Sequence, residues 1–363
     1  MSFKWRLKRA IWYLIYSFRT RYPMRTLLLI LLLAVVPFSG SQAATVDIYK
    51  GEAAVESKDA AVRRQALPLA LKHVFQKISG LRSFEDYPLV EPALGNASSI
   101  LVAFYYRNVT LVQADGSEVE ELRLVAEFAS GKVDEMVLSL QLPLWPRERD
   151  PMVPWVVVDN GLDRRIMPVE FNYVWESISN AAEWRGLPLN WPAPDEEGKF
   201  IVDDQLLWGG YTEDLGMEPG TGAMIAAARR EGLVWSVRIN VSYGGENWTW
   251  RMQDIDLQAA LTESVQQSID LIAAANAIAA SDQGVWNHQI TVSGVNNADE
   301  YEQCLAYLQK LSIVNQVSVV SAGQGRIMLV LELSAVPSYL QEVLADGGVL
   351  EQDEDEESYY FSN

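Results

Sequence analysis

Few side chains in this chain are of a type that performs nucleophilic or acid–base catalysis. The 363 residues include two histidines, His73 and His288, and one cysteine, Cys304. A Ser-His-Asp or Cys-His arrangement needs one of these histidines as its base. His73 lies one position off the apolar face of a predicted helix, and Cys304 lies on the apolar stripe of another. We therefore interpret all three as structural residues and assign no catalytic residue.

Paired carboxylates are the second kind of chemistry to consider. A glycosidase needs two acidic side chains roughly 5–10 Å apart, and this chain has 48 Asp and Glu residues. Asp203 with Asp204, and Asp254 with Asp256, lie close to predicted strand ends. Adjacent acids are expected by chance in so acidic a chain. They nevertheless keep open the alternative of a carboxylate-based hydrolase that acts on cell-wall glycan.

Metal and cofactor sites have no sequence support, and we predict neither. The chain has no H-E-x-x-H motif and no pair of cysteines for zinc. Asp353, Asp355 and Glu357 alternate near the C-terminus, but the Gly and the closing Glu of a calcium loop are missing. The glycine pairs do not precede a helix with Lys-Ser/Thr, so they are interpreted as turns.

Tryptophan is enriched in the middle of the chain, where eight of the 12 lie between Trp155 and Trp250. Trp248 and Trp250 share one face of a predicted hairpin, so they are either core or part of a partner surface. Tyr359 and Tyr360, at the aromatic end of the C-terminal segment, are the other candidates for a partner surface. These four residues are the predicted site.

The pattern of elements predicts an α+β protein built from three small α/β modules in series. The predicted segments are 45–142, an α+β module; 143–154, a linker with four prolines up to Pro154; 155–282, an α/β module with the Trp-rich hairpin; 285–351, a ferredoxin-like βαββαβ domain; and 352–363, an acidic disordered tail. As an alternative, the aromatic end of the tail docks on the body.

Four local patterns support this division into segments. A helix is predicted from 58 or 59 to 79, ended by Gly80 and kinked or restarted at Pro68. Strands 235–243 and 248–252 alternate apolar and polar residues around the predicted turn Gly244-Gly245-Glu246-Asn247. A long Ala-rich helix over 257–280 follows. Asp115-Gly116 predicts a further hairpin turn between strands 100–112 and 119–129.

The N-terminal segment, residues 1–44, predicts export. Leu27–Val36 is apolar, basic residues precede it, and small residues follow it, which is the pattern of a secretory signal. About ten apolar residues are too few for a membrane-spanning helix, which needs roughly 20. We expect cleavage near Ala43 or Ala44 and a periplasmic protein without a stable membrane anchor. Met1 and Met24 both remain possible starts.

Charge narrows the classes of partner. Residues 1–44 hold seven basic residues and no acidic ones, so the remaining chain has 22 Lys and Arg against 48 Asp and Glu, a formal charge of −26. Such a surface repels phosphate backbones and anionic headgroups, and we therefore predict no nucleic-acid partner. A single cysteine also predicts no intramolecular disulfide.

Several short motifs along the chain resemble a known family. They are Gly51-Glu52-Ala53, Asp59-Ala60-Ala61-Val62-Arg63-Arg64-Gln65-Ala66-Leu67, Ile78-Ser79-Gly80, Leu142-Pro143-Leu144-Trp145 and Trp155-Val156-Val157-Val158-Asp159. Together they resemble the secreted proteobacterial family catalogued as domain of unknown function 2066. The first segment is also similar to the amino-terminal module of flagellar-ring accessory proteins. The resemblance to the 2066 family implies no catalytic motif, and the similarity of the first segment implies binding or assembly in the envelope. We therefore expect a non-catalytic binding or assembly factor whose partner is another envelope protein.

Overall fold

The computed structural model describes most of the chain beyond the predicted signal segment. The described residues are 44–112, 117–167, 171–195, 197, 199–200, 202–215, 217, 219–353 and 357–361. All of them belong to one compact unit, residues 41–363. The predicted cleavage at Ala43 and the predicted turn at Asp115-Gly116 lie outside the described residues. Within the described part, no helix is both long and apolar enough to span a bilayer.

The first module, residues 44–142, packs two helices against a small antiparallel sheet. Its elements are β1 (Ala44–Thr45), β2 (Lys50–Ala54), α1 (Ala60–Ser79), α2 (Val90–Leu94), a 3-10 turn (Ala97–Ser99), β3 (Leu101–Val112), β4 (Glu118–Phe128) and α3 (Ser130–Ser139). The sheet order is β2-β4-β3. Gly80 ends α1 in the left-handed region, with φ of 69°, as a helix-terminating glycine does.

Of the two outcomes predicted at Pro68, a kink or a restarted helix, the restart is wrong, because α1 continues through this residue as one helix. The kink stays a prediction. A proline in a helix removes one backbone hydrogen bond at a cost of about 3 kcal/mol. Leu71, Val74, Phe75 and Ile78 follow it and are fully buried in the core of the first module. Each such side chain contributes roughly 1.5–3 kcal/mol when it is buried, so their packing outweighs the lost bond.

The second module, residues 148–276, has a mixed five-stranded sheet. Its elements are β5 (Glu148–Arg149), β6 (Met152–Asp159), β7 (Arg164–Ile166), α4 (Asn172–Arg185), α5 (Asp204–Gly209), a 3-10 turn (Glu213–Leu215), β8 (Gly222–Glu231), β9 (Val234–Tyr243), β10 (Glu246–Asp254) and α6 (Leu257–Asn276). The order is β10-β9-β8-β6-β7, with β6 and β8 parallel. β5 pairs separately with β1.

The hairpin of the second module forms as predicted, but its turn is shorter than the expected 244–247, because Glu246 already pairs with Tyr243. Val241 pairs with Trp248 and Ile239 pairs with Trp250. Gly244 and Gly245 both have positive φ, 57° and 81°, which suits a two-residue turn between twisted strands. α4 and α6 cover one face of the sheet, and α5 with the segment around it covers part of the other.

The third module, residues 280–361, has the predicted βαββαβ order followed by one further strand. Its elements are a 3-10 turn (Ala280–Asp282), β11 (Gln283–Ser293), α7 (Ala298–Lys310), β12 (Val314–Gly323), β13 (Arg326–Ala335), α8 (Pro337–Gly347), β14 (Leu350–Gln352) and β15 (Ser358–Phe361). The sheet order is β12-β13-β11-β15-β14. At α7, the side chain of Asn297 accepts from the backbone N–H of Glu300, as the predicted cap requires. With eight helices and main sheets of three, five and five strands among the described residues, the α+β fold class is confirmed.

The expected disordered tail over 352–363 needs correction, because Ser358–Phe361 forms β15. This strand lies parallel to β11 and between β11 and β14. Tyr359 is 1% exposed and Phe361 is buried in the third core, whereas Tyr360 is 54% exposed. The alternating aromatic residues thus match a strand with one dry face, and the open alternative of a docked aromatic end describes the structure better.

The predicted linker over 143–154 also needs correction, because its residues are packed. Leu144 exchanges backbone hydrogen bonds with Ile278, and Trp145 and Arg149 are buried. The first strand of the central sheet already begins at Met152. Prolines and charges normally indicate a loop, but here one of the charges, Arg149, is an internal cross-link between modules.

Candidate functional site

The outer edge of the first module is an exposed apolar strand surface. β3 pairs with β4 on one side, and no described strand pairs with its other side. Val102, Phe104 and Tyr105 are 63%, 41% and 54% exposed. We call these three side chains, with the free backbone of β3 beside them, the β3 edge.

Local contacts hold the β3 edge in place. The Arg63 guanidinium lies 4.4 Å from the centroid of the Phe104 ring, and Phe104 meets Tyr106 edge to face at 6.0 Å. Arg107 is the one charged residue of β3, and its Nη2 donates to a Glu52 carboxylate oxygen at 2.9 Å. The strand is therefore mostly apolar and has no free charge to keep another strand away.

The opposite edge of the same sheet, along β2, is closed by side chains from α1. The backbone N–H of Glu52 donates to His73 Nδ1 at 2.9 Å, and Lys77 Nζ donates to the carbonyl of Lys50 at 3.0 Å. Because His73 Nδ1 accepts, Nε2 carries the proton and donates to the Trp184 carbonyl at 2.6 Å. The His73 and Trp184 rings stack at 3.7 Å.

This environment fixes the charge of His73. Burial, with the nearby cations Lys77 and Arg123, lowers the pKa of His73 from 6.5 to about 3. Both ring nitrogens are bonded to backbone groups, so the ring is a neutral structural bridge between the first module and α4 of the second.

Two buried arginines complete that bridge. Arg149 donates to the carbonyls of Pro146, Lys77 and Gly186 at 2.6–2.8 Å, while its guanidinium stacks on Trp145 at 3.6 Å. Arg185 donates to the Gly80 carbonyl at 2.6 Å and to Asp270 at 2.8 Å. These cations thus bind the C-terminal ends of α1 and α4, where helix dipoles favour positive charge.

The other candidate nucleophile and base are placed apart from this bridge. Cys304 is fully buried in α7, and burial raises the pKa of its thiol to about 11. His288 lies in β11, and its Nε2 is buried without a hydrogen-bond partner in the described part of the chain. The structure brings neither residue together with the other or with His73.

The paired carboxylates are helix caps and ion-pair partners. Asp203 caps α5 by accepting from the N–H of Gln205, and Asp204 accepts from Arg164 Nη2 at 3.1 Å. Asp256 caps α6 by accepting from the N–H of Gln258, and Asp254 accepts from the N–H of Asp256. Among the described residues, no group of three or more His, Cys, Asp and Glu side chains is arranged to hold a metal ion.

The predicted partner-surface residues divide between core and surface. Trp248 and Trp250 are half-buried on β10, where they pack against the core under α4 and α6. Tyr359 is buried, and Tyr360 faces solvent on the sheet of the third module. The structure does not bring the two pairs together, because they belong to different sheets.

Sequence reasoning missed the β3 edge, although a signal was present. Residues 102–106 read Val-Ala-Phe-Tyr-Tyr, a run in which consecutive residues are apolar. Consecutive strand residues point to opposite faces, and α1 covers only one face of this sheet. Some of these side chains must therefore remain exposed.

Comparison with known proteins finds a family model that matches the first module. Residues 43–146 match the family model described as Domain of unknown function (DUF8605). That range contains the β3 edge and the bridge residues His73 and Lys77. No curated protein matches the chain.

Two solved structures show limited likeness. The crystal structure of the Thermus thermophilus Protein Y N-terminal domain has 12% identity and a TM-score of 0.19, covering 35% of this chain and 97% of that one. The crystal structure of an uncharacterized protein has 10% identity and a TM-score of 0.14, covering 35% of this chain and 90% of that one. Likeness at this level carries no argument about fold or function.

Proposed function

We propose that this protein is a non-catalytic binding factor of the cell envelope that docks an extended segment of another envelope protein on the β3 edge. The observation that carries the proposal is a twelve-residue edge strand with three exposed apolar side chains and no unpaired charge. An added strand would satisfy the free backbone groups of β3, and alternate side chains of the partner would cover Phe104 or Tyr105.

The envelope location rests on the signal pattern in residues 1–44 and on the single buried cysteine. Membership of the family called domain of unknown function 2066 is part of this proposal. Its support is the match of the first module to a domain of unknown function. N-terminal sequencing of the exported protein tests this part: a chain that begins at Ala44 or Thr45 is expected. A full-length, membrane-retained chain would contradict it.

Site-specific photocrosslinking in the periplasm tests the docking surface. A photoreactive phenylalanine at position 105 should give a discrete crosslinked product, and the same group at position 320 is the matched control. Val320 is 56% exposed on the edge strand β12 of the third module, so both positions offer an exposed apolar edge.

A charge placed on the edge should abolish the product. Val102→Lys introduces the charge that natural edges use against strand addition, and the side chain is already in solvent, so the fold should survive. Val320→Lys should leave the product intact. Equal products from positions 105 and 320, or a product that persists in folded Val102→Lys, would refute docking on the β3 edge.

A further inference from the structure

The outer face of the β9–β10 hairpin has an unusual composition for so acidic a protein. Eight side chains on this face alternate with the core residues of the two strands: Ser236, Arg238, Asn240, Ser242, Asn247, Thr249, Arg251 and Gln253. Two are arginines and none is acidic, in a chain with 48 Asp and Glu residues. This face lies opposite α4 and α6.

The two arginines are directly opposed in the sheet. Arg238 pairs with Arg251 across the antiparallel strands, and like charges in this position destabilise a sheet. Arg238 donates to the Trp208 carbonyl, but its Nε is buried with no partner among the described atoms. Arg251 is exposed, and no described carboxylate forms an ion pair with either residue. Burial and the charge of Arg251 lower the pKa of Arg238.

A second pair of opposed arginines in the same protein is neutralised by neighbouring carboxylates. Arg107 and Arg123 are opposed in the same way between β3 and β4. Glu52 lies within 3.5 Å of both, and Glu121 accepts from Arg123 at 2.6 Å. The first module thus supplies carboxylates for its pair, and the second module supplies none for Arg238 and Arg251 among its described residues.

We propose that Arg238 and Arg251 form an oxyanion site that takes a phosphate group. A phosphate monoester has a charge of about −1.5 to −2 and three acceptor oxygens, which matches two guanidinium groups, whereas a carboxylate neutralises one. Guanidinium forks bind phosphate through paired hydrogen bonds. This site lies in a different module from the β3 edge and does not depend on the proposed function.

The next residues on the same face indicate the rest of the ligand. Asn240 and Thr249 pair beside the arginines and line a cleft of about 250 Å³ together with Tyr211, Glu213 and Asp214. Asn240 Oδ1 is buried without a described partner. Carboxylate and amide oxygens accept from hydroxyls and would repel a second anion. The ligand is therefore a phosphate group on a neutral, hydroxyl-bearing body.

Thermal shift and calorimetry of the full exported chain test the site with three probes: inorganic phosphate, glycerol phosphate and acetate, each against NaCl at equal ionic strength. Both phosphates should raise Tm more than NaCl does, and glycerol phosphate should bind more tightly than inorganic phosphate. Arg251→Gln should weaken both by about tenfold, the effect expected for the loss of one charge-assisted hydrogen bond. Arg64→Gln, at an exposed arginine of α1, removes the same charge elsewhere and should change neither.

The same variant has a second readout without ligand. Arg251→Gln removes the like-charge pair, so its Tm should rise by about 1–2 °C; a fall would contradict the unpaired state of Arg251. Phosphate shifts no larger than those of NaCl, or equal in wild type and Arg251→Gln, overturn the site. A larger Tm shift with acetate than with phosphate would show that the site takes a carboxylate instead. Equal affinity for the two phosphates would show that the site does not recognise a hydroxyl-bearing body.

Discussion

Apart from α2 and the 3-10 turn that the first module adds after α1, the first and third modules have the same order of elements, but they complete their sheets in different ways. β2-α1-β3-β4-α3 in the first corresponds to β11-α7-β12-β13-α8 in the third, and the sheet orders, β2-β4-β3 and β11-β13-β12, correspond as well. Beyond β11 the third module adds its own strands β15 and β14. Beyond β2 the first module has His73, Lys77 and the end of α4.

This difference implies different dependence on neighbours. The third module closes its sheet with apolar side chains from its own C-terminus, so its stability is local. The first module closes its sheet with buried polar and charged groups that reach into the second. Removing such a group lowers the free energy of unfolding by more than its hydrogen bond contributes, because its former partners stay buried without a bond. We therefore expect the first and second modules to unfold together and the third module to unfold separately.

The largest expected effect is that of Arg149→Ala. Removal of this buried cation leaves the carbonyls of Pro146, Lys77 and Gly186 without donors, and losses of about 3–5 kcal/mol are typical when one member of a buried charged network is removed. Urea unfolding followed by hydrogen exchange should show the loss in α1 and α4 but not in β13. Arg82→Ala is the control, because its ion pairs to Glu263 and Asp270 are 40% exposed at the arginine and should contribute about 0.5 kcal/mol.

The next effect concerns the C-terminal strand. Tyr359→Ala removes a buried ring from the third core and should cost about 3 kcal/mol, whereas Tyr360→Ala, on the next residue but exposed, should cost under about 0.5 kcal/mol. Deletion of 352–363 should therefore lower Tm by several degrees. Equal Tm values for the two tyrosine variants would show that β15 contributes nothing to the sheet.

The ways in which the first and third modules complete their sheets also differ in how far the sequence could predict them. The elements of the third module followed from local patterns, such as the cap at Asn297 and the apolar stripe around Cys304. β15 did not, because Asp353 to Glu357 dominates the composition and a parallel insertion depends on distant β11. Arg149 could not be predicted as buried, since its partners are backbone carbonyls at the ends of two separate helices. Of the four predicted site residues, Tyr360 faces solvent, and the β3 edge required knowledge of which sheet face α1 covers.

His73 gives the first module a pH dependence. Its pKa is about 3 in the folded chain, against an ordinary value of 6.5, so the unfolded state binds the proton and stability falls as pH drops below 6.5. The slope is about 1.4 kcal/mol per pH unit, which gives roughly 2 kcal/mol lost at pH 5. His73→Gln should be less stable at pH 7 and should lack this slope. Hydrogen exchange of β2 and α1 measures it, and an unchanged slope in the variant would assign the pH dependence to another group.

The smallest expected effect is that of Arg149→Ala on the third module, for which Cys304 is a reporter. The thiol is fully buried and its pKa is raised to about 11, so a thiol reagent should label it only when the module opens. Labelling is limited by the population of that open state.

Tyr359→Ala weakens the third module and should increase the labelling rate by about a hundredfold, since about 3 kcal/mol corresponds to a factor of 10² or more. Arg149→Ala acts on the other bridge and should leave the rate within about twofold of wild type, because mutations at distant sites without shared partners are additive. If Arg149→Ala accelerated labelling as strongly as Tyr359→Ala, the three modules would open as one cooperative unit, and the separate closure of the two related sheets would have no thermodynamic consequence.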